Sequence, residues 1–295
     1  MKTYLECFPC LVQQAVDAIQ QTVADAEAQT AILHEALDIL RRTDPQESPP
    51  IMAQKIHRTL RSSLGEQDLY RKIKDKNNAF ALKLYQELQM KVLASHDPFG
   101  TAVRLAIAAN IIDYGPKRRL SNAAMIETIE QAQNAPLDGS TLQEFREAVE
   151  AAESILYLAD NAGEIVFDRL LVEQLPIRKV VLAVRGTPVI NDATMVDARA
   201  AGLAEIVQVI DNGSDVPGTA LQQCSTEFLK AFDSADLVIA KGQGNLETLY
   251  GLPKPIYFLL LAKCPLIARE LECEVGEMII RCPMKRIPGD RCEIR

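Results

Sequence analysis

The chain has 295 residues, 48% of them hydrophobic and 24% charged, with a formal charge of −8 and a sequence pI near 5.1. That balance belongs to an ordinary globular protein and excludes a largely disordered one, while the acidic excess argues against nucleic-acid binding driven by clustered Lys and Arg. No apolar stretch reaches the roughly 20 residues that span a bilayer, and the first residues, Met1 to Glu6, lack the apolar centre of a signal peptide, so a cytoplasmic protein with no membrane partner is expected. Seven cysteines, odd in number and unevenly spread, read as reduced thiols rather than a disulfide framework.

From Leu11 to about Ala94 apolar residues recur at helical spacing, as in Leu33, Ala36, Leu37 and Leu40, or Ala81, Leu84, Tyr85 and Leu88. The spacing predicts several amphipathic helices, interrupted by a loop at Asp44-Pro45-Gln46-Glu47-Ser48-Pro49-Pro50. Ala102 to Ile112 is nearly all small or aliphatic and predicts a buried helix; Arg104 within it needs an acceptor, with Asp113 a candidate. After about Glu153, short β-branched runs alternate with helical segments: Ile155 to Leu158, Val180 to Val184, Ile206 to Ile210, Leu237 to Ala240 and Ile256 to Leu261. Such alternation marks parallel βα units. The expected fold is α/β, with a helical N-terminal part (1–150) packed on a C-terminal three-layer α/β/α domain (151–295) whose sheet is mostly parallel.

Each run stops in polar residues. The first ends in Asp160-Asn161-Ala162-Gly163-Glu164, the second leads through Arg185-Gly186 to Asn191-Asp192-Ala193-Thr194, the third ends in Asp211-Asn212-Gly213 and the fourth in Lys241-Gly242-Gln243-Gly244-Asn245. Taken singly, Asp, Asn and Gly at a strand end are turn and N-cap residues, and for Asp211-Asn212-Gly213 that reading stands. Taken together they place Asp160, Asn161 and Asp192 on the carboxyl edge of a sheet, where open α/β folds bind ligands. Two carboxylates and an amide oxygen suit Mg²⁺ or Mn²⁺, and Lys241 supplies positive charge for a phosphoryl group beside them. Gly242 permits close backbone approach, and the helix that follows can aim N–H groups at an anion.

These motifs resemble those of the DUF89 family, the metal-dependent damage-control phosphatases. In the helical half Gly65, Asp68, Tyr70, Lys74 and Asn77 resemble a family pattern, Asn110 and Asp113 resemble its active-site asparagine and aspartate, and Cys7 and Cys10 are similar to the CxxC of a mainly prokaryotic subgroup. The resemblance spans nearly the whole chain. It implies an enzyme that hydrolyses small phosphomonoesters, such as sugar phosphates or damaged phosphometabolites, with a divalent ion (Mg, Mn, Co or Ni) on Asp160, Asn161 and Asp192. It further implies that Lys241, Gly242 and Asn245 hold phosphate or substrate, that Asn110 and Asp113 reach in to the substrate from the helical part, and that Glu164 either supports the centre from behind or is a weak ligand itself. The Arg-Thr-x-Lys element carried by some members near the C-terminus is absent; Cys282-Pro283-Met284-Lys285-Arg286 stands in that region.

The expected chemistry is attack by an activated water, with Asp160 or Asp192 steering it. An aspartyl-phosphate route fits less well, since Asn161 and Ala162 follow Asp160 where haloacid-dehalogenase phosphatases carry Asp-x-Asp. Two other readings compete: an S-adenosylmethionine-dependent carboxyl methyltransferase, and a metal- or metabolite-binding module without turnover. Oligomeric state is left open. Cys7 and Cys10 read either as a structural helix start or as half of a metal or redox site that Cys282 and Cys292 complete, whereas Cys224, Cys264 and Cys273 read as small core residues. The three histidines, His34, His57 and His96, have no partner at ligand spacing and are assigned to surface or helix-end positions.

Overall fold

The computed structural model describes residues 1–110, 126–127, 129, 131–132, 135–287 and 290–294. The described residues begin with α1 (Cys7–Thr22), α2 (Ala26–Arg42), α3 (Pro49–Leu64), α4 (Arg71–Ala94) and α5 (Pro98–Ala108), and α6 (Gly139–Ala151) leads into the sheet. Local chemistry sets their ends. The Asp25 and Asp97 carboxylates accept from Ala28 and Gly100 at the starts of α2 and α5, and prolines occupy the first turns of α3 and α5. Gly65 closes α3 with a left-handed φ of 64°. The loop expected at Asp44–Pro50 is shorter than the breaker residues suggest, because Pro49 and Pro50 begin α3 instead of preceding it.

The second half alternates as expected: β1 (Ile155–Leu158), α7 (Glu164–Val172), β2 (Val180–Val184), α8 (Met195–Ala200), β3 (Gln208–Asp211), α9 (Thr226–Ser234), β4 (Leu237–Lys241), α10 (Gly242–Leu249), β5 (Ile256–Leu261) and α11 (Pro265–Leu271). The third strand lies later than its apolar run predicts, since Leu203–Glu205 winds into a 3-10 turn that spends Ile206 as its cap. A sixth strand, β6 (Met278–Arg281), was not legible; it pairs antiparallel with β5, and a hairpin of β7 (Met284–Ile287) and β8 (Asp290–Ile294) follows.

Sheet order is β3-β2-β1-β4-β5-β6, with every pair parallel except β5 with β6. The chain winds outward from β1 to β3, then returns to the other side of β1 with β4. The order therefore reverses between β1 and β4, and the carboxyl ends of those two strands are the switch point at which open α/β sheets bind ligands.

Alternate residues of each strand feed two cores. Ile155, Tyr157, Leu182, Ile239 and Leu259 face helices α4 to α8, while Leu156, Leu158, Val238, Phe258 and Leu260 face Phe228, Phe232, Leu246, Leu249 and Ile267 from α9 to α11. This is the three-layer arrangement. The first of these cores runs continuously from Ala81 to Ile280, so residues on both sides of position 150 share one apolar interior. Helices α1 to α3 pack on one another around Leu11, Ile19, Met52, Ile56 and Leu60, and α3 also touches α10. Among the described residues no helix is long and apolar enough to cross a membrane.

His57 departs from its expected surface position. It lies inside α3, 1% exposed, with its ring 5.9 Å from that of Tyr70. Burial, with Arg61 nearby, lowers its pKa from 6.5 to about 4. The unfolded chain therefore takes up a proton at this residue below pH 6.5 while the folded chain does not until about pH 4, so stability is lost as pH falls through that window. Denaturant unfolding at pH 7.5 and pH 4.5 is expected to show His57→Gln losing about 2 to 3 kcal/mol less than the wild type on acidification; parallel losses would place the acid sensitivity elsewhere.

Candidate functional site

β1 ends in Asp160 and Asn161, both buried, and the chain turns through Gly163 into α7. Gly163 has φ +80°, and a Cβ on it would come 2.9 Å from that of Asn77. Its N–H donates 2.6 Å to the side-chain oxygen of Asn78, one position beyond the Asn77 of the expected pattern. β2 ends in Arg185, after which the loop folds back over the rim, where Asn161 and Asp192 form an isolated antiparallel bridge. The backbone of that loop is stitched to the end of β1 by Ala162 N–H to Asn191 O (2.9 Å) and Ala193 N–H to Asp160 O (2.7 Å). Ile190 takes φ +44° within it, a strained conformation for a β-branched residue. Asp160, Asn161 and Asp192 thus meet at one edge, as their strand-end positions predict.

Helix α5 supplies the fourth side. Asn110, fully buried just beyond its end, donates through Nδ2 to Asp160 Oδ2 (3.1 Å) and Glu164 Oε2 (2.7 Å). Asn161 Nδ2 reaches the same two carboxylates at 2.7 and 3.0 Å. Asn110 Oδ1 is buried and has no partner among the described residues. Asp113 lies outside the described residues. Arg104 donates to Ala135 O at 3.0 Å, which answers its need for an acceptor.

Lys241 and Gly242 come from the end of β4, across the switch point. The Lys241 ammonium donates to Glu164 Oε1 (2.8 Å), Asp168 Oδ1 (2.5 Å) and Ala106 O (2.8 Å), which uses all three of its protons. Tyr157 OH also donates to Asp168 Oδ1 (2.8 Å). Gly242 has φ +77°, and a Cβ there would fall 1.9 Å from Asp160 Oδ2, so only glycine lets β4 approach the carboxylate this closely. Asn245 is likewise occupied: it accepts from Thr219 Oγ1 (2.8 Å) and donates to Lys241 O (2.7 Å) and Ala159 O (3.3 Å), bracing β1 against β4.

The electrostatics follow from this packing. Burial, then Glu164 and Asp192, push Asp160 well above the usual carboxylate range, with Arg185 and Lys263 opposing. Burial pushes Asp168 up to about 6 in spite of Lys241. Burial also opposes the ionisation of Glu164, but the Lys241 ammonium outweighs it and holds Glu164 low. Lys241 is itself desolvated, and the pull of Asp168 and Glu164 raises its pKa.

Three buried charged residues that the structure brings to this rim are not among those the sequence singles out. Asp168 sits one helical turn after Glu164 in a largely apolar helix, a spacing that marks it as a second carboxylate on the same face. Arg185 was visible only as a strand-end residue. It is 2% exposed, and its Nε donates to Asp192 Oδ2 at 2.6 Å. Asp197, in α8, accepts from Asn78 (2.9 Å) and Arg71 (2.8 Å), pairs with Lys74 (3.1 Å) and caps Thr194, so it ties α4 to the Asp192 loop. Burial works against its ionisation, yet Lys74, Arg71 and Thr194 bring its pKa to about 2.

Among the described residues no three His, Cys, Asp or Glu side chains converge as a metal site on their own. A cation would need the carboxamide oxygens as well. Such a centre fits the residues present: Asp160 is crowded by like charge, and the orphaned Asn110 Oδ1 offers a further oxygen. Cys7 and Cys10 stand in the first turn of α1, and Cys282 donates to Met284 O. The side chain of Cys292 lies outside the described residues.

An open α/β sheet with an acidic, carboxamide-rich centre at its switch point defines the class of site. Residues 3–279 match the damage-control phosphatase ARMT1-like domain family. The chain is 34% identical to a damage-control phosphatase of Pyrococcus horikoshii, covering 95% of this chain and 97% of that one. It is 33% identical to a damage-control phosphatase of Archaeoglobus fulgidus (95% and 99%) and 35% identical to an uncharacterized protein of Methanocaldococcus jannaschii (93% and 93%). Its fold is similar to the crystal structure of the DUF89 family protein of P. horikoshii, with a TM-score of 0.87, 34% identity and coverage of 96% and 99%. This chain belongs to the ARMT1-like damage-control phosphatase family, also called DUF89.

Removing the cation from the Glu164–Lys241–Asp168 cluster leaves two buried carboxylates facing each other. Lys241→Met is expected to cost about 3 to 5 kcal/mol in denaturant unfolding, and adding Asp168→Asn to recover part of it. A double variant no more stable than the single one would show that packing, not charge, sets the cost.

Proposed function

We propose that this chain is a metal-dependent phosphatase acting on small phosphorylated metabolites such as sugar phosphates. The observation that carries the reading is the concentration of buried negative charge at the switch point, where Asp160 lies against Glu164 and Asp192. A cation at Asp160, Asn161 and Asp192 relieves that repulsion, and a phosphoryl group is a ligand that such a cation attracts. The names of the archaeal relatives support the same reaction.

Within this reading Asp160, Asn161 and Asp192 hold the ion, with the Asn110 carboxamide beside them. A bound divalent ion, whether Mg²⁺, Mn²⁺, Co²⁺ or Ni²⁺, supplies Lewis-acid polarisation of a phosphoryl oxygen and acidifies water. The protein's own part is orientation. Asn110 and Asn161 fix the Asp160 and Glu164 carboxylates through their amide hydrogens. Lys241 keeps Glu164 ionised and so maintains the acceptor for both amides. Gly242 makes room for Asp160, and Asn245 fixes the distance between the two strand ends. Asp160 or Asp192 steers the attacking water. Asp113 remains a candidate contribution from beyond Asn110.

Phosphate release from p-nitrophenyl phosphate and a panel of sugar phosphates, measured with chelator-treated protein resupplied with each of the four ions, tests the proposal. Activity is expected only with metal. Asp160→Asn and Asp192→Asn are each expected to lower kcat/KM about a thousandfold or more, in proportion to the several kcal/mol that a catalytic metal contributes. Full activity in chelator, or in either folded variant, would sink the proposed centre.

A further inference from the structure

An anionic substrate must approach a rim where Asp160 already lies near the Glu164 and Asp192 carboxylates, with Asp168 one turn further along α7. A metal offsets part of that field; a protein cation aimed at the ligand offsets more. Lys241 is the cation that the sequence places there, but its three protons end on Glu164, Asp168 and Ala106 O. A phosphate could claim one only by displacing a buried charged partner, which is costly.

Arg185 is placed differently. It stands at the end of β2, the strand next to β1, with Nε on Asp192 Oδ2. Its Nη2 is buried, has no hydrogen-bond partner among the described residues, and lies 3.8 Å from Asp160 Oδ1, inside ion-pair range and beyond hydrogen-bond range. A guanidinium cannot shed a proton to relieve this, so a desolvated N–H without an acceptor is a standing cost unless a ligand completes it. The planar fork also matches phosphate oxygens geometrically, holding one neighbour through Nε while Nη2 serves another.

We propose that Arg185 is the phosphate-binding residue of this site, holding Asp192 through Nε and donating through Nη2 to a non-bridging oxygen of the substrate's phosphoryl group. This assignment rests on the phosphatase reading above. Lys241 then has a distinct task, holding Glu164 and Asp168 from behind without touching substrate. Substrates lacking a phosphoryl or similar tetrahedral oxyanion gain nothing from the Arg185 donor.

The test uses full-length wild type, Arg185→Gln and Arg185→Lys, each checked by circular dichroism and thermal melting. Calorimetry first titrates Mn²⁺ alone, then inorganic phosphate into the Mn²⁺-loaded protein; KM and kcat for p-nitrophenyl phosphate follow. Removing a cation beside two carboxylates is expected to leave Mn²⁺ affinity unchanged or tighter. Phosphate affinity is expected to fall at least about tenfold in Arg185→Gln, with KM rising more than kcat falls. Arg185→Lys keeps the charge but not the fork, and an intermediate loss of phosphate affinity is expected; it carries the test if the glutamine variant does not fold. Unchanged phosphate binding in a folded variant overturns the proposal. So does a parallel loss of Mn²⁺ and phosphate in both variants, which would mean that Arg185 acts only by orienting Asp192. Wild-type protein that binds phosphate through Arg185 yet hydrolyses nothing with any metal would sink the phosphatase reading and leave the phosphate site standing.

Discussion

The ammonium of Lys241, buried between Glu164 and Asp168, joins three parts of the molecule that are far apart in the chain. It belongs to the end of β4, its carboxylate partners to α7, and its third acceptor, Ala106 O, to α5. Without it, α7 would present two carboxylates to an apolar interior, at a cost that hydrophobic packing elsewhere could not easily offset. With it, Glu164 stays charged and can accept from Asn110 and Asn161, and those two carboxamides in turn hold Asp160. The setting of Asp160 therefore depends on the Lys241 charge, through Glu164 and Asn110. A buried cation so fully used is poorly suited to meet a substrate as well, which is why the remaining donor of Arg185 acquires significance.

The two halves of the chain are coupled by polar contacts at the same rim. Asn78 of α4 accepts from Gly163 and donates to Asp197, while Lys74 and Arg71 neutralise that aspartate. Nearer α3, Asp215 accepts from Gln54 and Arg58 and pairs with Arg61, whose other arm reaches Pro188 O in the loop that ends at Asp192. Burial raises the cost of charging Asp215, yet Arg58, Gln54 and Arg61 lower its pKa to about 2. The loop between β2 and α8 is thus gripped from two helices, a setting that can sustain the strained backbone at Ile190. Within residues 1–110, α1 to α3 keep an apolar cluster of their own, whereas α4 and α5 share the sheet's apolar core.

Much of this was readable beforehand because it follows from local rules. Strand runs such as Val180–Val184 and the turn residues after them are set by period and composition, and Asp160, Asn161 and Asp192 are visible at one edge because they follow such runs. β6 escaped because four residues after a turn carry too little pattern, and its antiparallel direction depends on the neighbour it meets. His57 was misplaced for a related reason: a histidine on a helix carries no sequence mark of whether that face meets water or Tyr70.

By itself the sequence determined the α/β class, the succession of helices and strands, and which oxygen-bearing side chains stand at strand ends, since hydrophobic period and turn chemistry are properties of neighbours along the chain. Tertiary structure alone decided how the charges pair. Lys241 with Glu164 and Asp168, Arg185 with Asp192, and Asp197 with Lys74 span separations of 77, 73, 7 and, for the last, 123 residues (197 − 74). Such pairings arise only when strand order brings β1, β2 and β4 side by side and burial removes the water that would otherwise satisfy each charge on its own. The fold thereby distinguishes a cation consumed by its neighbours from one with a donor to spare, a difference no residue type announces.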